Sequence, residues 1–202
     1  IAVLPEDLEE FLSSMIRSNF IGGNVTIPHK ETAFQKISVC NDIANTLEAV
    51  NTLWVENQSL VAGNTDGYGF SANLDDFAPT WRNAETAMVL GAGGAAKAIV
   101  LALIHAGYKK IIIVNRTYAR AQALASKMGK QCISIEQDQV SQHLENVQLL
   151  INTTSLGMDN QAMADIKLSK LSNSTIVTDI VYNPLKTPLL QEAHALGLEI
   201  VD

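Results

Sequence analysis

Cysteine is scarce in this sequence, with only Cys40 and Cys132 among 202 residues. Two cysteines so far apart exclude a disulfide framework and a CxxC metal site. Metal-ligand spacing is also missing among the four histidines, which are His29, His105, His143 and His194. We therefore expect no metal ion, and the cytoplasm is the default compartment.

Basic residues and long apolar runs are also few. Fourteen Lys and Arg stand against 21 Asp and Glu, which gives a net charge of −7. An acidic chain without basic runs binds polyanions poorly, so we expect no nucleic-acid partner. No apolar stretch approaches the roughly 18 residues that cross a bilayer, so we expect no membrane association. A hydrophobic content of 47% can form a real core and excludes intrinsic disorder.

Strands and helices alternate in the second part of the chain. Ile111–Val114 is an unbroken apolar run, typical of a parallel strand covered on both faces. The alternation predicts a doubly wound, Rossmann-type α/β domain. Its predicted strands are 86–90, 111–114, 132–135, 147–152 and 175–180, and its helices follow residue 91 and span 118–128 and 188–196.

Shorter elements precede this domain. Asn24–Ile27 is predicted as a strand with Asn24 and Thr26 on one face and Val25 and Ile27 toward the core. A helix that carries Lys30 follows Pro28, and further strands are predicted at 50–55 and 60–62. A polar loop at 63–67 precedes a helix at 68–77. Pro79 and the Arg82-Asn83 pair mark a boundary, so we predict domains at 1–82 and 83–202.

A glycine-rich turn follows the strand 86–90. Gly91, Gly93 and Ala96 fill the three positions of a G-x-G-x-x-[GA] pattern between a strand and a helix. Gly91 permits a tight turn, Gly93 lets the backbone approach a pyrophosphate, and Ala96 keeps the helix close to the sheet. Free N–H groups at the helix start would bind the phosphates. The alternative is a turn of small residues that binds nothing.

The end of the next strand indicates which dinucleotide binds. An NAD site usually has Asp or Glu there, on the ribose 2′-hydroxyl. This chain has Asn115-Arg116-Thr117, followed by Arg120 one helical turn later. A guanidinium fits a 2′-phosphate, whereas a carboxylate would repel one. The pattern favours NADP, and the alternative is a pair of solvated arginines.

Polar residues also gather at strand ends in the first part of the chain. Asn24, Thr26 and Lys30 belong to one such group, and Asn51-Thr52 and Asn64-Thr65-Asp66-Gly67 form two others. Amides, hydroxyls and one carboxylate suit a small polyhydroxylated ligand. Taken singly, Lys30 could be a solvated lysine in a first helical turn and Asp66 a turn-forming residue before glycine.

Six motifs in a fixed order carry a family resemblance, from Asn24 to Leu190. They are NVTIPHK, AVNTL, GNTDGYGF, GAGGAA, NRTYAR and DIVYNPLKTPLL. Together they resemble the shikimate dehydrogenase family. The resemblance implies an α/β substrate domain and a Rossmann NADP domain with the active site in the cleft between them. It also implies reversible reduction of 3-dehydroshikimate to shikimate with NADPH, a step in chorismate and aromatic amino acid biosynthesis.

The resemblance assigns roles motif by motif. Lys30 corresponds to the catalytic lysine and Asp66 to its partner carboxylate, which also contacts substrate. The implied substrate contacts are Thr26, Asn51 and Tyr182, with Asn24 near them. The implied cofactor contacts are Gly91, Ala92, Gly93, Gly94, Ala95, Asn115, Arg116, Thr117, Arg120, Thr153, Thr154, Ser155, Met158, Ile180 and Asp42.

Three features depart from the family pattern. Glu48 replaces the glycine that is common before AVNT. The family's N-terminal strand, with a serine motif that grips the substrate carboxylate, has no match here, nor does its C-terminal closing helix with a glutamine. We expect the printed residues to be part of a larger chain. If the polypeptide lacks both segments, the carboxylate clamp is lost.

Two other functions fit the same motifs. One is a quinate/shikimate dehydrogenase that uses NAD, and the other is a non-catalytic sensor of shikimate-like ligands on the same fold. Retention of Lys30 and Asp66 argues against the sensor. The oligomeric state does not follow from the sequence, which allows a homodimer.

Overall fold

The computed structural model describes residues 1–158 and 166–202. These residues form two compact units, Ile1–Gly67 and Tyr68–Asp202. The domain boundary predicted between residues 82 and 83 lies further along the chain than this division after Gly67. It stays a prediction. None of the described helices is both long and apolar enough to span a bilayer.

The first unit is built on a four-stranded mixed sheet in the order β1-β3-β4-β2. β1 pairs antiparallel with β3, β3 antiparallel with β4, and β2 parallel with β4. The strands are β1 (Gly22–Asn24), β2 (Val39–Cys40), β3 (Thr52–Glu56) and β4 (Ser59–Gly63). The helices are α1 (Leu8–Ser14), preceded by a 3-10 turn at Pro5–Asp7, α2 (Lys30–Lys36) and α3 (Asp42–Leu47).

The core of the first unit is an apolar cluster between the sheet and the helices. α1 contributes Leu8 and Leu12, α2 contributes Ala33, and the sheet contributes Leu53 and Ala62. Leu8 and Leu12 lie one helical turn apart, so both face the sheet. The short elements therefore hold together by burying one face of each.

The predicted strand at Asn24–Ile27 is wrong in its position. β1 ends at Asn24, whose pairing partner Thr52 is the first residue of β3. No β3 residue remains to pair with Thr26, and Pro28 has no N–H for a ladder. Val25 is buried as expected, but Ile27 is 58% exposed. Thr26 therefore lies in a turn and shares no strand face with Asn24.

The second unit contains a six-stranded, all-parallel sheet in the order β10-β9-β8-β5-β6-β7. If β5 is counted as the first strand of this unit, the order is 6-5-4-1-2-3. This is the order of a doubly wound dinucleotide-binding fold, and it confirms the predicted fold class. The strands are β5 (Thr86–Leu90), β6 (Lys110–Val114), β7 (Cys132–Ile135), β8 (Leu149–Asn152), β9 (Ile176–Asp179) and β10 (Glu199–Val201).

The described residues from Asp66 onward form four α-helices, together with short 3-10 turns. They are α4 (Asp66–Phe77), which begins two residues earlier than predicted, α5 (Gly94–His105), α6 (Tyr118–Met128) and α7 (Pro188–Ala195). The 3-10 turns span Pro79–Asn83, Gln137–Gln142, Leu144–Asn146 and Leu168–Lys170.

Both faces of the large sheet are covered. On β6, Ile111 and Ile113 pack in one apolar cluster with α5 and α6, while Ile112 and Val114 pack in a second cluster with α7. Successive side chains of a strand point to opposite faces, so a strand buried on both sides must be apolar throughout. The sheet therefore holds its carboxyl-terminal strand ends in fixed positions, where ligands bind in such folds.

Candidate active site

An ion pair joins α2 to the start of α4. Nζ of Lys30 lies 2.6 Å from Oδ2 of Asp66, and the two side chains are only 14% and 20% exposed. The expected proximity of these two residues is confirmed. Partial burial keeps much of the surrounding water away, so this pair attracts more strongly than one on the surface.

A backbone hydrogen bond fixes the main chain at Lys30. Lys30 is the first residue of α2, and its carbonyl oxygen accepts a hydrogen bond from the backbone N–H of Val50 at 3.0 Å. An ammonium carries three N–H donors, and Asp66 takes one of them. The remaining donors can serve the oxygen atom of a ligand.

Asn51 holds the other oxygen of the carboxylate. Its Nδ2 donates to Oδ1 of Asp66 at 2.7 Å and to Oγ1 of Thr65 at 3.1 Å. Its Oδ1 accepts from the backbone N–H of Thr65 at 3.0 Å and from Oγ1 of Thr52 at 2.7 Å. Asn51 is 9% exposed, so its donors and acceptors are satisfied mainly by these neighbours.

Asn64 belongs to the polar group at residues 64–67 and is a positioning residue to which the family resemblance assigns no role. Its Oδ1 accepts from the backbone N–H of Asp66 at 3.0 Å, and its Nδ2 donates to the carbonyl oxygen of Ala49 at 3.1 Å. An asparagine whose side-chain oxygen accepts from the backbone N–H two residues later is a common turn-forming arrangement. An asparagine just before Thr-Asp-Gly was the signal that could have found it.

Of the other predicted substrate residues, Asn24 and Thr26 belong to the first unit and Tyr182 to the second. Nδ2 of Asn24 lies 3.4 Å from the carbonyl oxygen of Asn51, a long contact, and Thr26 is exposed. Tyr182 follows β9 in the second unit and is 83% exposed. Their roles in substrate binding stay predictions.

A cavity of about 350 Å³ opens at the carboxyl ends of β5, β6 and β8 in the second unit. The strand order reverses between β5 and β8, which is where dinucleotides bind in doubly wound sheets. The lining residues are Leu90, Gly91, Val114, Asn115, Arg116, Thr117, Arg120, Gln137, Val140, Asn152, Thr154, Ser155, Leu156 and Ile166.

The glycine-rich turn begins in a conformation that requires glycine. Gly91 has a φ of 117°, and a Cβ there would lie 2.4 Å from Oγ1 of Thr153. Gly93 has open space where a side chain would project, and Ala96 is fully buried against the sheet. Ala92, Gly93, Gly94 and Ala95 lie at or before the first turn of α5 but are not among the cavity-lining residues.

The cavity has the charge expected for a phosphorylated ribose. Arg116 and Arg120 line it together with Asn115 and Thr117, and none of its described lining residues is a carboxylate. A guanidinium fork pairs well with a phosphate, and the described lining residues include no acidic group that would repel one. The residues present therefore fit NADP. Gln137, at the start of the turn after β7, lines the same cavity and was not predicted.

The loop after β8 forms one wall of the cavity. Thr154 and Ser155 line it as expected, whereas Thr153 is buried and donates from Oγ1 to the carbonyl oxygen of Leu90 at 2.7 Å. Met158 and the half-buried Ile180 lie outside the described lining. Asp42 is the exposed first residue of α3 in the first unit. The cofactor roles of these last three residues stay predictions.

No metal site is visible in the described part of the chain. No group of three or more His, Cys, Asp or Glu side chains in residues 1–158 and 166–202 could hold a metal ion.

Family models match both parts of the sequence. Residues 1–53 match the model described as the shikimate dehydrogenase substrate binding domain, and residues 77–183 match that of shikimate / quinate 5-dehydrogenase. The chain is 48% identical to a shikimate dehydrogenase (NADP(+)) of Mesorhizobium japonicum and 45% identical to that of Azorhizobium caulinodans. These matches cover 100% and 99% of this chain and 72% of each relative.

Solved structures give the same result. A shikimate dehydrogenase in complex with NADP+ has a TM-score of 0.88 at 31% identity, covering 100% of this chain and 71% of that one. A Thermus thermophilus shikimate 5-dehydrogenase with NADP(H) and shikimate has a TM-score of 0.82 at 31% identity, covering 98% and 72%. A quinate dehydrogenase of Corynebacterium glutamicum with NAD has a TM-score of 0.86 at 29% identity, covering 97% and 71%. The chain belongs to the shikimate dehydrogenase family.

Proposed function

We propose that this protein is an NADP-dependent shikimate dehydrogenase, which reversibly reduces 3-dehydroshikimate to shikimate. The observation that carries the proposal is the half-buried Lys30–Asp66 pair, with Asn51 on the second carboxylate oxygen. Its relatives of 44–48% identity carry this name, which supports the same substrate and the same place in aromatic amino acid biosynthesis.

When bound, NADPH supplies the hydride for the ketone carbon of the substrate. Negative charge then develops on the ketone oxygen, and a cation or proton donor beside it lowers the barrier. In our proposal Nζ of Lys30 donates the proton that completes the new hydroxyl group. In the reverse direction the same nitrogen takes the proton back.

Asp66 has two tasks in this scheme. Oδ2 orients the ammonium of Lys30, and a lone pair of its oxygens can accept a hydrogen bond from a substrate hydroxyl. Asn51 and the Asn64 turn keep the carboxylate from rotating, because they bind Oδ1 and the backbone N–H of Asp66. A fixed carboxylate holds the substrate and the lysine in one geometry, which is a large part of catalysis.

Arg116 and Arg120 would hold the 2′-phosphate, and the N–H groups at the start of α5 the pyrophosphate. The arginines favour NADP over NAD and so favour this function over a quinate dehydrogenase that uses NAD. We place the protein in the cytoplasm and expect a homodimer. Light scattering tests the homodimer.

The test is to mix the purified protein with shikimate and NADP+ and follow the absorbance of the reduced nicotinamide. We expect turnover, with NADP+ preferred over NAD+. A folded protein that binds shikimate without turnover would instead be a ligand sensor. A clear preference for NAD+ would favour the quinate/shikimate enzyme.

A further inference from the structure

A buried carboxylate lies behind the wall of the cavity in the second unit. Asp179 is the last residue of β9 and is 3% exposed. Its Oδ1 accepts from Nδ2 of Asn152 at 2.9 Å and from the backbone N–H of Val181 at 3.0 Å. Its Oδ2 accepts from Oγ1 of Thr187 at 2.7 Å. The proposed chemistry assigns no role to the carboxylate of Asp179.

The partner of Asp179 at the end of β8 shapes the loop that lines the cavity. Oδ1 of Asn152 accepts from the backbone N–H of Thr154 at 3.1 Å and from its Oγ1 at 2.7 Å. Nδ2 of Asn152 donates to the carbonyl oxygen of Leu156 at 3.1 Å. Oγ1 of Thr154 in turn accepts from the backbone N–H of Leu156 at 3.1 Å. One fully buried amide thus determines the course of three loop residues.

The orientation of that amide depends on Asp179. An asparagine amide can be turned over, which exchanges its donor and its acceptor ends. Only the observed orientation directs Oδ1 at the Thr154 N–H, and a carboxylate beside Nδ2 enforces it because a carboxylate can only accept. Burial raises the pKa of Asp179, whereas its three hydrogen bonds favour the charged form.

We propose that Asp179 is a positioning residue for the cofactor site, which acts by fixing the amide of Asn152 and through it the loop at Thr154–Leu156. The observation is a continuous chain of hydrogen bonds from Thr187 through Asp179 and Asn152 to residues that line the cavity. The inference rests on the proposed function, because it takes the cavity to be the NADP site.

The test measures the dissociation constant for NADP+ by calorimetry on the wild-type protein and four variants. Asp179→Ala removes both acceptors, and Asp179→Leu does so while filling the volume, in case the alanine variant fails to fold. We expect either variant to weaken NADP+ binding about tenfold, which is the change in dissociation constant that the loss of one hydrogen bond produces. The KM for shikimate should not change.

Asp179→Asn is the conservative variant. Its Oδ1 can still accept from Asn152 and Val181, and its amide can donate to Oγ1 of Thr187. We expect its affinity for NADP+ to stay near that of the wild type.

Thr175→Val is the matched structural control. Thr175 is also fully buried, precedes β9 at the opposite end of that strand, and donates from Oγ1 to the carbonyl oxygen of Val147 at 2.7 Å. We expect it to lower the unfolding temperature and to leave NADP+ binding unchanged.

The outcomes separate the two proposals. If the wild type binds NADP+ and a folded Asp179→Ala or Asp179→Leu binds it equally well, the positioning role is overturned and the proposed function stands. If Thr175→Val weakens binding as much as Asp179→Ala, the effect is general destabilisation and the role is again overturned. If the folded wild type does not bind NADP+, both proposals fall.

Discussion

Asp66 is shared between a cation and an amide: Oδ2 lies 2.6 Å from Nζ of Lys30, and Oδ1 lies 2.7 Å from Nδ2 of Asn51. The three side chains come from the start of α2, the residue before β3 and the start of α4. A carboxylate bound on both oxygens has little freedom to rotate.

Lys30→Ala should reduce kcat for shikimate oxidation by about 10²- to 10⁴-fold, the usual contribution of a positioned proton donor or acceptor. NADP+ binding should be unchanged. The measurement is steady-state kinetics with calorimetric binding. Lys36→Ala is the matched control, since Lys36 lies on the same helix in an ion pair with Glu9 and is 38% exposed. Equal kcat values for Lys30→Ala and the wild type would contradict the proposed role.

Arg116→Ala and Arg120→Ala should each raise the KM for NADP+ by about 10- to 100-fold, because a charge-assisted hydrogen bond contributes about 1.5–3 kcal/mol. The KM for NAD+, which has no 2′-phosphate, should change little. Arg17→Ala, an exposed arginine in the first unit, is the control. The arginines do not select NADP if both cofactors lose affinity equally.

Gly91→Ala should lower the stability of the protein, whereas Gly93→Ala should lower its affinity for NADP+. A Cβ at Gly91 meets Oγ1 of Thr153 at 2.4 Å on a backbone with φ of 117°, so this variant should lose about 1–3 kcal/mol of unfolding free energy. A Cβ at Gly93 meets nothing within 4 Å, so that variant should keep its stability while losing NADP+ affinity. Urea unfolding and cofactor titration measure the two effects. Similar stability losses in both would refute this contrast.

Glu48→Gly should stabilise the protein by about 1 kcal/mol, which is the cost of a left-handed conformation for a residue with a Cβ. Glu48 follows α3 with φ of 52° and ψ of 42°, the conformation in which glycine is favoured at a helix end. Glu48→Ala removes the same side chain without relieving the backbone and serves as the control. A gain in stability for alanine equal to that for glycine would argue against backbone strain.

Asp179→Asn should alter the pH dependence of stability. Burial raises the pKa of Asp179 above its ordinary value of 3.8, so the folded protein holds this proton to higher pH than the unfolded chain does. The folded state then binds more protons in that window, and the contribution of Asp179 to stability is lost as the pH rises through the folded pKa. The variant has no such titration.

Relative to the wild type, the unfolding free energy of Asp179→Asn should therefore increase as the pH rises from about 3 to 7. Urea unfolding of both proteins across this range measures it. A difference that is constant or decreases with pH would show that burial does not govern this carboxyl group.

Periodicity predicted the second unit well and the first unit less well. Every residue of Ile111–Val114 is buried, so an unbroken apolar run could be assigned to a central parallel strand from the sequence alone. β1 has only three residues, and it ends where its partner strand β3 begins. That position depends on tertiary pairing and not on the local sequence. The displacement of Thr26 from a strand to a turn follows from that pairing.

The residues of the candidate site also fall into those that the sequence could predict and those that it could not. Lys30 and Asp66 stand in recognisable motifs, so their proximity could be predicted. Asp179 acts on Asn152 through a hydrogen bond that depends on three-dimensional placement, and no spacing in the sequence indicates which amide a buried carboxylate will orient. Gln137 reaches the cavity because β7 lies at the edge of the sheet next to β6.

The strand order of the large sheet also affects how the protein folds. β5 pairs with β8, so Leu90 lies beside Asn152, and the two are separated by a long stretch of the second unit along the chain. Contacts so distant in sequence raise the contact order, and loop closure must precede them, which slows folding. During refolding, NADP+ affinity should therefore return only when β8 has docked, so a bound dinucleotide would report a late step of assembly.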